Sequence, residues 1–205
     1  MKAEDYRLKF ILVGASGSGK TTMAGVLEEQ FGLKRCVTST TRPPREGEVD
    51  GISYHFKSEF DLKEMFEHAS FGGFEYGVSF DELKKGDFII LEPQGVDYYR
   101  EHFPNPLTVI QLVREGIEVD ADRMARDKAA GFDRVNPDII VRGETIEEMS
   151  ENLICAMEGI RKQNVLPREG ERMNDFGTKL RDANVRAAAA AMDIHRKEVS
   201  TALEH

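Results

Sequence analysis

Residues 14–22 read "GASGSGKTT", directly after the apolar run "RLKFILV" and directly before the helix-like "MAGVLEEQF". The order is strand, glycine-rich turn, helix, and Gly14, Gly19, Lys20 and Thr21 stand at the spacing of a phosphate loop. The spacing has a physical basis. Glycines let the backbone curl so that successive N–H groups point inward at an anion. The helix that follows presents its positive end to the same anion. Lys20 supplies a point charge to the β- and γ-phosphates, and Thr21 offers a hydroxyl to Mg²⁺. Gly14, Ala15, Ser16, Gly17, Ser18, Gly19, Lys20, Thr21 and Thr22 are therefore the candidate triphosphate site. The bland alternative is a glycine-rich turn that binds nothing. Lys-Thr in register between a strand and a helix favours a nucleoside triphosphate with magnesium.

The 205 residues carry a net charge of −9, with 40% hydrophobic and 32% charged content. That is the composition of a soluble globular chain, long enough for one substantial core with a small inserted lobe or at most two small domains. No long basic run is present, so nucleic acid is not an expected partner, although local clusters can still hold anions. Cys36 and Cys155 are the only cysteines, far apart and without metal-ligand spacing, which fits a reducing cytosol. No apolar run approaches the roughly 18 residues of a membrane span, and a signal-peptide pattern is absent, so no membrane partner and a cytoplasmic location are expected. The final "LEH", residues 203–205, reads as the start of an expression tag.

Apolar runs at 8–13, 36–38, 88–91, 107–112 and 139–141 read as strands, alternating with helix-like segments near 22–31, 96–102, 120–130 and 146–159. The alternation predicts an α/β fold, a mostly parallel sheet with helices on both faces. Ser79 with Glu82, and Thr145 with Glu148, form capping boxes at two helix starts. Residues 42–79 break the rhythm. "RPPREGEVDG" is predicted as loop, and "ISYHF" and "SFGGFEYG" as short strands around a helix from 58 to 68. This is an inserted lobe of about 38–80. Beyond 159, residues 160–202 are predicted as a C-terminal helical extension in which Phe176, Leu180, Ala183, Ala187, Ala190 and Ile194 follow alternating steps of four and three. Such a stripe is either a face on the chain's own core, the more frequent case, or a homodimer contact.

"TSTTRPPREGEVDGISYHF", residues 38–56, bears on where a terminal phosphate would go. Arg42 and Arg45 stand three apart on a proline-stiffened loop, with Tyr54 a short hairpin away. Two guanidinium forks and a phenol suit a second phosphate, which arginine binds bidentately. Taken alone, the cluster is equally a solvated basic loop. Together with the phosphate loop and "EHASFGGFEYG", the stretch is similar to the guanylate kinase family. The resemblance is close over about 7–112, weaker to about 159 and absent beyond.

The resemblance implies a phosphate-loop kinase fold in which Arg42, Arg45, Tyr54 and Tyr76 hold the 5′-phosphate of GMP, and Thr38 and Glu67 read the guanine edge. The chemistry agrees. Guanine presents N1–H and an exocyclic NH₂ on one edge, and an ionised carboxylate accepts both, whereas adenine has no N1–H. The alternative for Glu67 is a solvated helix-end glutamate. Three positions depart from the family pattern. Thr38 replaces a serine and keeps the hydroxyl. Glu92 in "FIILEPQG" replaces an aspartate at the end of the third core strand, where a carboxylate can order Mg²⁺ through water and touch the nucleotide. Val78 replaces a small hydroxyl residue that assists base reading, with Ser79 next to it.

Family members close an arginine-bearing lid over the triphosphate after the fourth core strand. Here "LVREGIEVDADRMARDKAAGF", within a lid of about 114–135, stands in that place and is shorter. It offers Arg114, Arg123 and Arg126, of which Arg123 best matches a family position; Arg142 stands where the family has an adenine-side asparagine. All four are otherwise ordinary helix-surface charge. The expectation is an ATP:GMP phosphotransferase, with a kinase domain over 1–159, Mg²⁺ as cofactor, and Lys20, Arg42 and Arg123 carrying the catalytic charge. Two readings stand beside it. One is a kinase of the same architecture acting on another (deoxy)nucleoside monophosphate or a phosphorylated sugar. The other is a non-enzymatic binding module, which would have no use for the full set Lys20, Thr21, Arg42 and Arg45.

Overall fold

The structure, a computed structural model, describes residues 5–71, 73–117, 121–161, 182, 185–193 and 195–196. In chain order its elements are β1 (Phe10–Gly14), α1 (Lys20–Phe31), β2 (Ser39–Thr40), β3 (His55–Phe56), β4 (Met65–Phe71), β5 (Phe74–Ser79) and α2 (Phe80–Lys85). There follow β6 (Phe88–Ile90), α3 (Pro93–His102), β7 (Thr108–Arg114), α4 (Ala121–Ala130), a 3-10 turn (Phe132–Arg134), β8 (Ile139–Gly143) and α5 (Ile146–Arg161).

Four parallel strands in the order β6-β1-β7-β8 form the main sheet. β1 lies between two neighbours and is buried at every position, which is why its sequence is apolar throughout rather than alternating. Successive side chains point to opposite faces. Phe10 and Leu12 therefore join Met23, Ala24 and Leu27 of α1 and Met149, Leu153 and Ala156 of α5 in one core. Ile11 and Val13 join Leu83 of α2 and Val96 and Tyr99 of α3 in the other. A sheet sandwiched between two helical layers results, as the alternation of elements requires.

The second sheet, β3-β2-β5-β4, occupies the interval between α1 and α2. Two sequence expectations are corrected here. Residues 36–38 are not a strand: Arg35 makes a single parallel bridge to Phe88, the Cys36 N–H donates to the Phe88 carbonyl at 2.8 Å, and the chain then crosses to the second sheet at Ser39. Nor do residues 58–68 form a helix. The Asp61 carboxylate caps the Lys63 N–H at 3.0 Å and the Asp61 carbonyl accepts from Glu64 at 3.0 Å, closing a turn, after which Met65–Phe71 pairs antiparallel with β5. So short a helix would carry the full cost of nucleation, whereas strand pairing buries Met65 and Phe66 directly.

The capping boxes form in altered shape. Ser79 accepts from the Glu82 N–H, but the Glu82 carboxylate accepts from the Val37 N–H at 3.0 Å instead of reaching back. Thr145 accepts from Glu148 N–H at 3.1 Å, and the Glu148 carboxylate accepts from Glu144 N–H at 2.8 Å.

Of the C-terminal stripe, Phe176, Leu180, Ala183 and Ile194 lie outside the described residues. Ala187 is buried and Ala190 is exposed, so the packed face is shifted: Ala188 is fully buried in the core of α1 and α5, with Met192 packed against it. The shift follows from Gly159 of α5, where a Cβ would lie 2.5 Å from the Ala187 carbonyl oxygen and 2.9 Å from Ala191 Cβ. The described helix 185–193 thus rests on the chain's own core.

Candidate nucleotide and acceptor site

Gly14 closes β1 with no room for a side chain: a Cβ would meet Ser18 Oγ at 2.4 Å and the Leu112 carbonyl oxygen at 2.9 Å. Gly17 and Gly19 hold φ of 77° and 83°, a region that glycine enters without steric cost, and Gly19 is the N-cap of α1. The turn delivers the unsatisfied first-turn amides of α1 to the C-terminal edge of the parallel sheet, where folds of this kind bind anions. Lys20 folds over the loop, its Nζ donating to the carbonyls of Gly14 at 2.5 Å and Ala15 at 3.0 Å, with the Phe132 ring centroid at 5.8 Å. Thr21 and Thr22 are exposed on the first turn. From α4, the Asp127 carboxylate accepts from both the N–H and the hydroxyl of Ser16.

The residues expected to hold the acceptor converge through strand register. Ser39 and Thr40 pair with His55 and Phe56 on one side and with Gly77 and Tyr76 on the other. One step earlier, Thr38 stands level with Tyr54 and Val78, and the Thr38 carbonyl accepts from His55 N–H at 2.9 Å. Because side chains alternate, Thr38, Tyr54, Tyr76 and Val78 share one face. Glu67 pairs with Val78, so it shares that face too. The rings of Tyr54 and Tyr76 meet edge to face at 6.3 Å, and the Arg42 guanidinium lies 5.5 Å from the Tyr54 centroid, within cation–π range.

Arg42 is itself buried, at 8% exposure. Its guanidinium donates to the Pro43 carbonyl and to Glu48, each at 2.8 Å, while Glu48 also accepts from Arg45 N–H at 2.7 Å. The Arg42 hydrogen bond, with that of Arg45 behind it, holds the Glu48 carboxyl below its ordinary range. Glu48 escaped the sequence reading; its signal is a lone acid inside an arginine-bearing Pro-Gly loop. Burial raises the Glu67 carboxyl above its ordinary value, and His68 opposes this less strongly. Ser79 is not brought to this face. It pairs opposite Met65, on the other side of the pleat, and its hydroxyl caps α2.

Glu92 is the N-cap of α3. Leu12 pairs with Ile90 in parallel register, so Glu92 stands level with Gly14 at the mouth of the loop. Thr21 and Glu92 are oxygen donors of the kind that suit Mg²⁺, which keeps several waters and takes its other ligands from phosphates. Among the described residues no cluster of three or more His, Cys, Asp or Glu side chains could hold a metal.

On the lid side, Arg114 ends β7 and donates to the Glu144 carbonyl at 3.5 Å, and Arg142 on β8 lies 3.4 Å from Glu115. Arg123 and Arg126 belong to α4; their side chains lie outside the described structure. Among the described residues no helix is long and apolar enough to cross a membrane.

A glycine loop at the C-terminal edge of a central parallel strand, flanked by helices and by an inserted mixed sheet, defines a protein of the phosphate-loop α/β class. The sequence model of guanylate kinase matches residues 6–109, half of the chain, and the chain belongs to the guanylate kinase family. A guanylate kinase of Helicobacter pylori (strain ATCC 700392 / 26695) is 36% identical over 118 residues, covering 51% of this chain and 57% of that protein. This chain therefore spans little more than half of that relative's length. A guanylate kinase of Bacillus subtilis (strain 168) is 29% identical over 191 residues, covering 78% and 94%. The crystal structure of guanylate kinase from Anaplasma phagocytophilum aligns with a TM-score of 0.58 at 22% identity, covering 80% of this chain and 90% of that one. That last likeness is one of fold.

Proposed function

We propose that this chain transfers the γ-phosphoryl group of ATP to GMP or dGMP, with the kinase domain over residues 1–159, the acceptor lobe over about 38–80 and a cytoplasmic setting. One observation carries the reading: a single face of the mixed sheet gathers Thr38, Tyr54, Tyr76 and Glu67 beneath Arg42. Arg42, Arg45, Tyr54 and Tyr76 hold the acceptor phosphate, and Glu67 accepts from the guanine edge with Thr38 beside it. The residues of the glycine loop hold the triphosphate, and Lys20 exchanges its loop carbonyls for phosphate oxygens. Bound Mg²⁺ would neutralise phosphate charge, with Thr21 and, through water, Glu92 as its protein partners. No catalytic base is needed, because the acceptor phosphate is already an anionic nucleophile. Every group named comes from one chain.

A second reading, another monophosphate or a phosphorylated sugar as acceptor, is favoured by Val78, which is fully buried and gives the base no hydroxyl, and by Ser79 being engaged as a cap. An assay of ADP release across GMP, dGMP, AMP and phosphorylated sugars separates the two readings. GMP is expected to be fastest, and Lys20→Met to abolish turnover in a folded chain, since charge stabilisation of this kind contributes several kcal/mol. A faster sugar phosphate would replace GMP. ADP release that survives Lys20→Met would remove the kinase reading altogether.

A further inference from the structure

β4 pairs with β5 in two registers. Met65 stands opposite Ser79, but Glu67 stands opposite Val78, so the step from Met65 to Glu67 on one strand matches a single step on the other. Phe66 is the extra residue, a β-bulge. In an unbroken ladder Phe66 would face Val78 and Glu67 would face Gly77. Since a slip of one residue moves every later side chain across the sheet, Glu67 would then project away from Tyr54 and Tyr76. The bulge is what puts the carboxylate on the acceptor face.

Two features hold it there. Gly77 gives the backbone room: a Cβ at that position would lie 2.5 Å from the Glu67 carbonyl oxygen. The second is α3, which grips the bulged residue. The Tyr98 hydroxyl donates to the Phe66 carbonyl at 3.0 Å, a group that a bulge leaves outside regular pairing. The Phe66 ring sits edge to face with Tyr99 at 4.9 Å, Tyr98 at 5.6 Å and Phe103 at 5.6 Å and is buried.

We propose that Tyr98 is a positioning residue for the base-reading carboxylate: by holding the Phe66 bulge it fixes the face of the sheet on which Glu67 stands, and so sets base selectivity. The proposal rests on Glu67 reading the acceptor base, as above.

Tyr98→Phe removes the hydroxyl and keeps the ring, including its stack on His102 at 4.3 Å. With ATP saturating, KM for GMP is expected to rise about five- to tenfold, the loss that follows from one hydrogen bond. The preference for GMP over AMP should fall by a like factor, with kcat and KM for ATP within about twofold. A merely structural defect would move all of these together. Cross-strand contacts between Glu67 and Val78, read by NMR in the wild type and the variant, should weaken in Tyr98→Phe. If KM for GMP and its preference over AMP are unchanged while Glu67→Gln raises the former, the positioning role is wrong and the kinase reading stands. If the wild type does not turn over GMP, the kinase reading falls. The role in base selectivity falls with it, and the contacts then decide only the hold on the bulge: an intact Glu67–Val78 pairing in Tyr98→Phe overturns that hold as well, and a lost one upholds the hold alone.

Discussion

The carboxylate of Asp127 accepts two hydrogen bonds from one residue of the phosphate loop, the Ser16 N–H at 3.1 Å and the Ser16 hydroxyl at 3.0 Å. The two residues are 111 apart in the chain, and the contact ties α4 to the loop. It also places a negative charge against the proposed triphosphate site. Two like charges about 4 Å apart repel by about 1 kcal/mol even in water, equivalent to about fivefold in affinity. Asp127→Asn keeps the shape and removes the charge. Calorimetric titration with a non-hydrolysable ATP analogue should give a Kd several-fold lower for the variant, with the gap narrowing as salt rises. A variant that binds no more tightly would mean that the carboxylate leaves the loop, or is neutralised, before the triphosphate arrives.

The proposed base reader, Glu67, couples selectivity to stability. Its carboxyl titrates above its ordinary 4.5, first because it is buried and with His68 opposing. Between the ordinary and the raised value the folded chain keeps a proton that the unfolded chain has released. Stability therefore falls as pH rises through that window. Base reading needs the ionised form, so KM for GMP should rise as pH falls through the folded value, while KM for ATP stays level. Glu67→Gln removes the buried charge. It should raise Tm at neutral pH and raise KM for GMP, because the amide presents a donor to a donor edge, a mismatch of about 1–3 kcal/mol. An unchanged kcat/KM for GMP would take Glu67 out of base reading.

The phosphate loop was legible because its physics is local: three glycines, a lysine and a threonine between an apolar strand and a helix. The parallel sheet was legible for a similar reason, since β1 and β6 are apolar throughout and β7 and β8 carry apolar runs that cover both faces. β4 was not. "SEFDLKEMFEHAS" has the composition of a helix, and only pairing with β5 makes Met65–Phe71 a strand. The face on which Glu67 lies depends on one extra residue, Phe66, which no hydrophobic period announces. Asp127 meets Ser16, and Glu48 meets Arg42, through contacts that the fold creates. Of the C-terminal stripe, Ala187 is buried as expected and Ala190 is not, because Gly159, on a different helix, sets the line of closest approach.

Position 123 stands one turn before Asp127 on α4, and Asp127 touches the phosphate loop. Arginines that meet transition-state charge in phosphoryl transfer are worth about 10³–10⁵ in rate. Arg123→Ala should lower kcat at least about a hundredfold, with a smaller effect on KM for GMP, since the interaction strengthens mainly in the transition state. Arg126→Ala and Arg114→Ala are the comparisons, at saturating ATP and GMP. If all three variants keep most of the wild-type kcat, the segment carries no catalytic charge.

Gly159 offers a test in which the sign alone decides. In an unpacked helix, Gly→Ala stabilises by about 0.8–1.0 kcal/mol. Here the new Cβ would lie 2.5 Å from the Ala187 carbonyl oxygen and 3.0 Å from the Ala187 carbonyl carbon. Backbone atoms cannot swing aside as a flexible side chain can, so helix 185–193 must move off α5 and uncover Ala188, which is fully buried. Overpacking of this kind costs about 1–3 kcal/mol, before any loss of apolar burial, and that outweighs the propensity gain. Gly159→Ala should therefore lower Tm by a few degrees, at about 2–4 °C per kcal/mol for a chain of this size. The drop should not depend on protein concentration, because the contact lies within one chain. A raised Tm would show that the C-terminal helix does not rest on α5. A drop that shrinks with increasing concentration would show that a second copy supplies the helix instead.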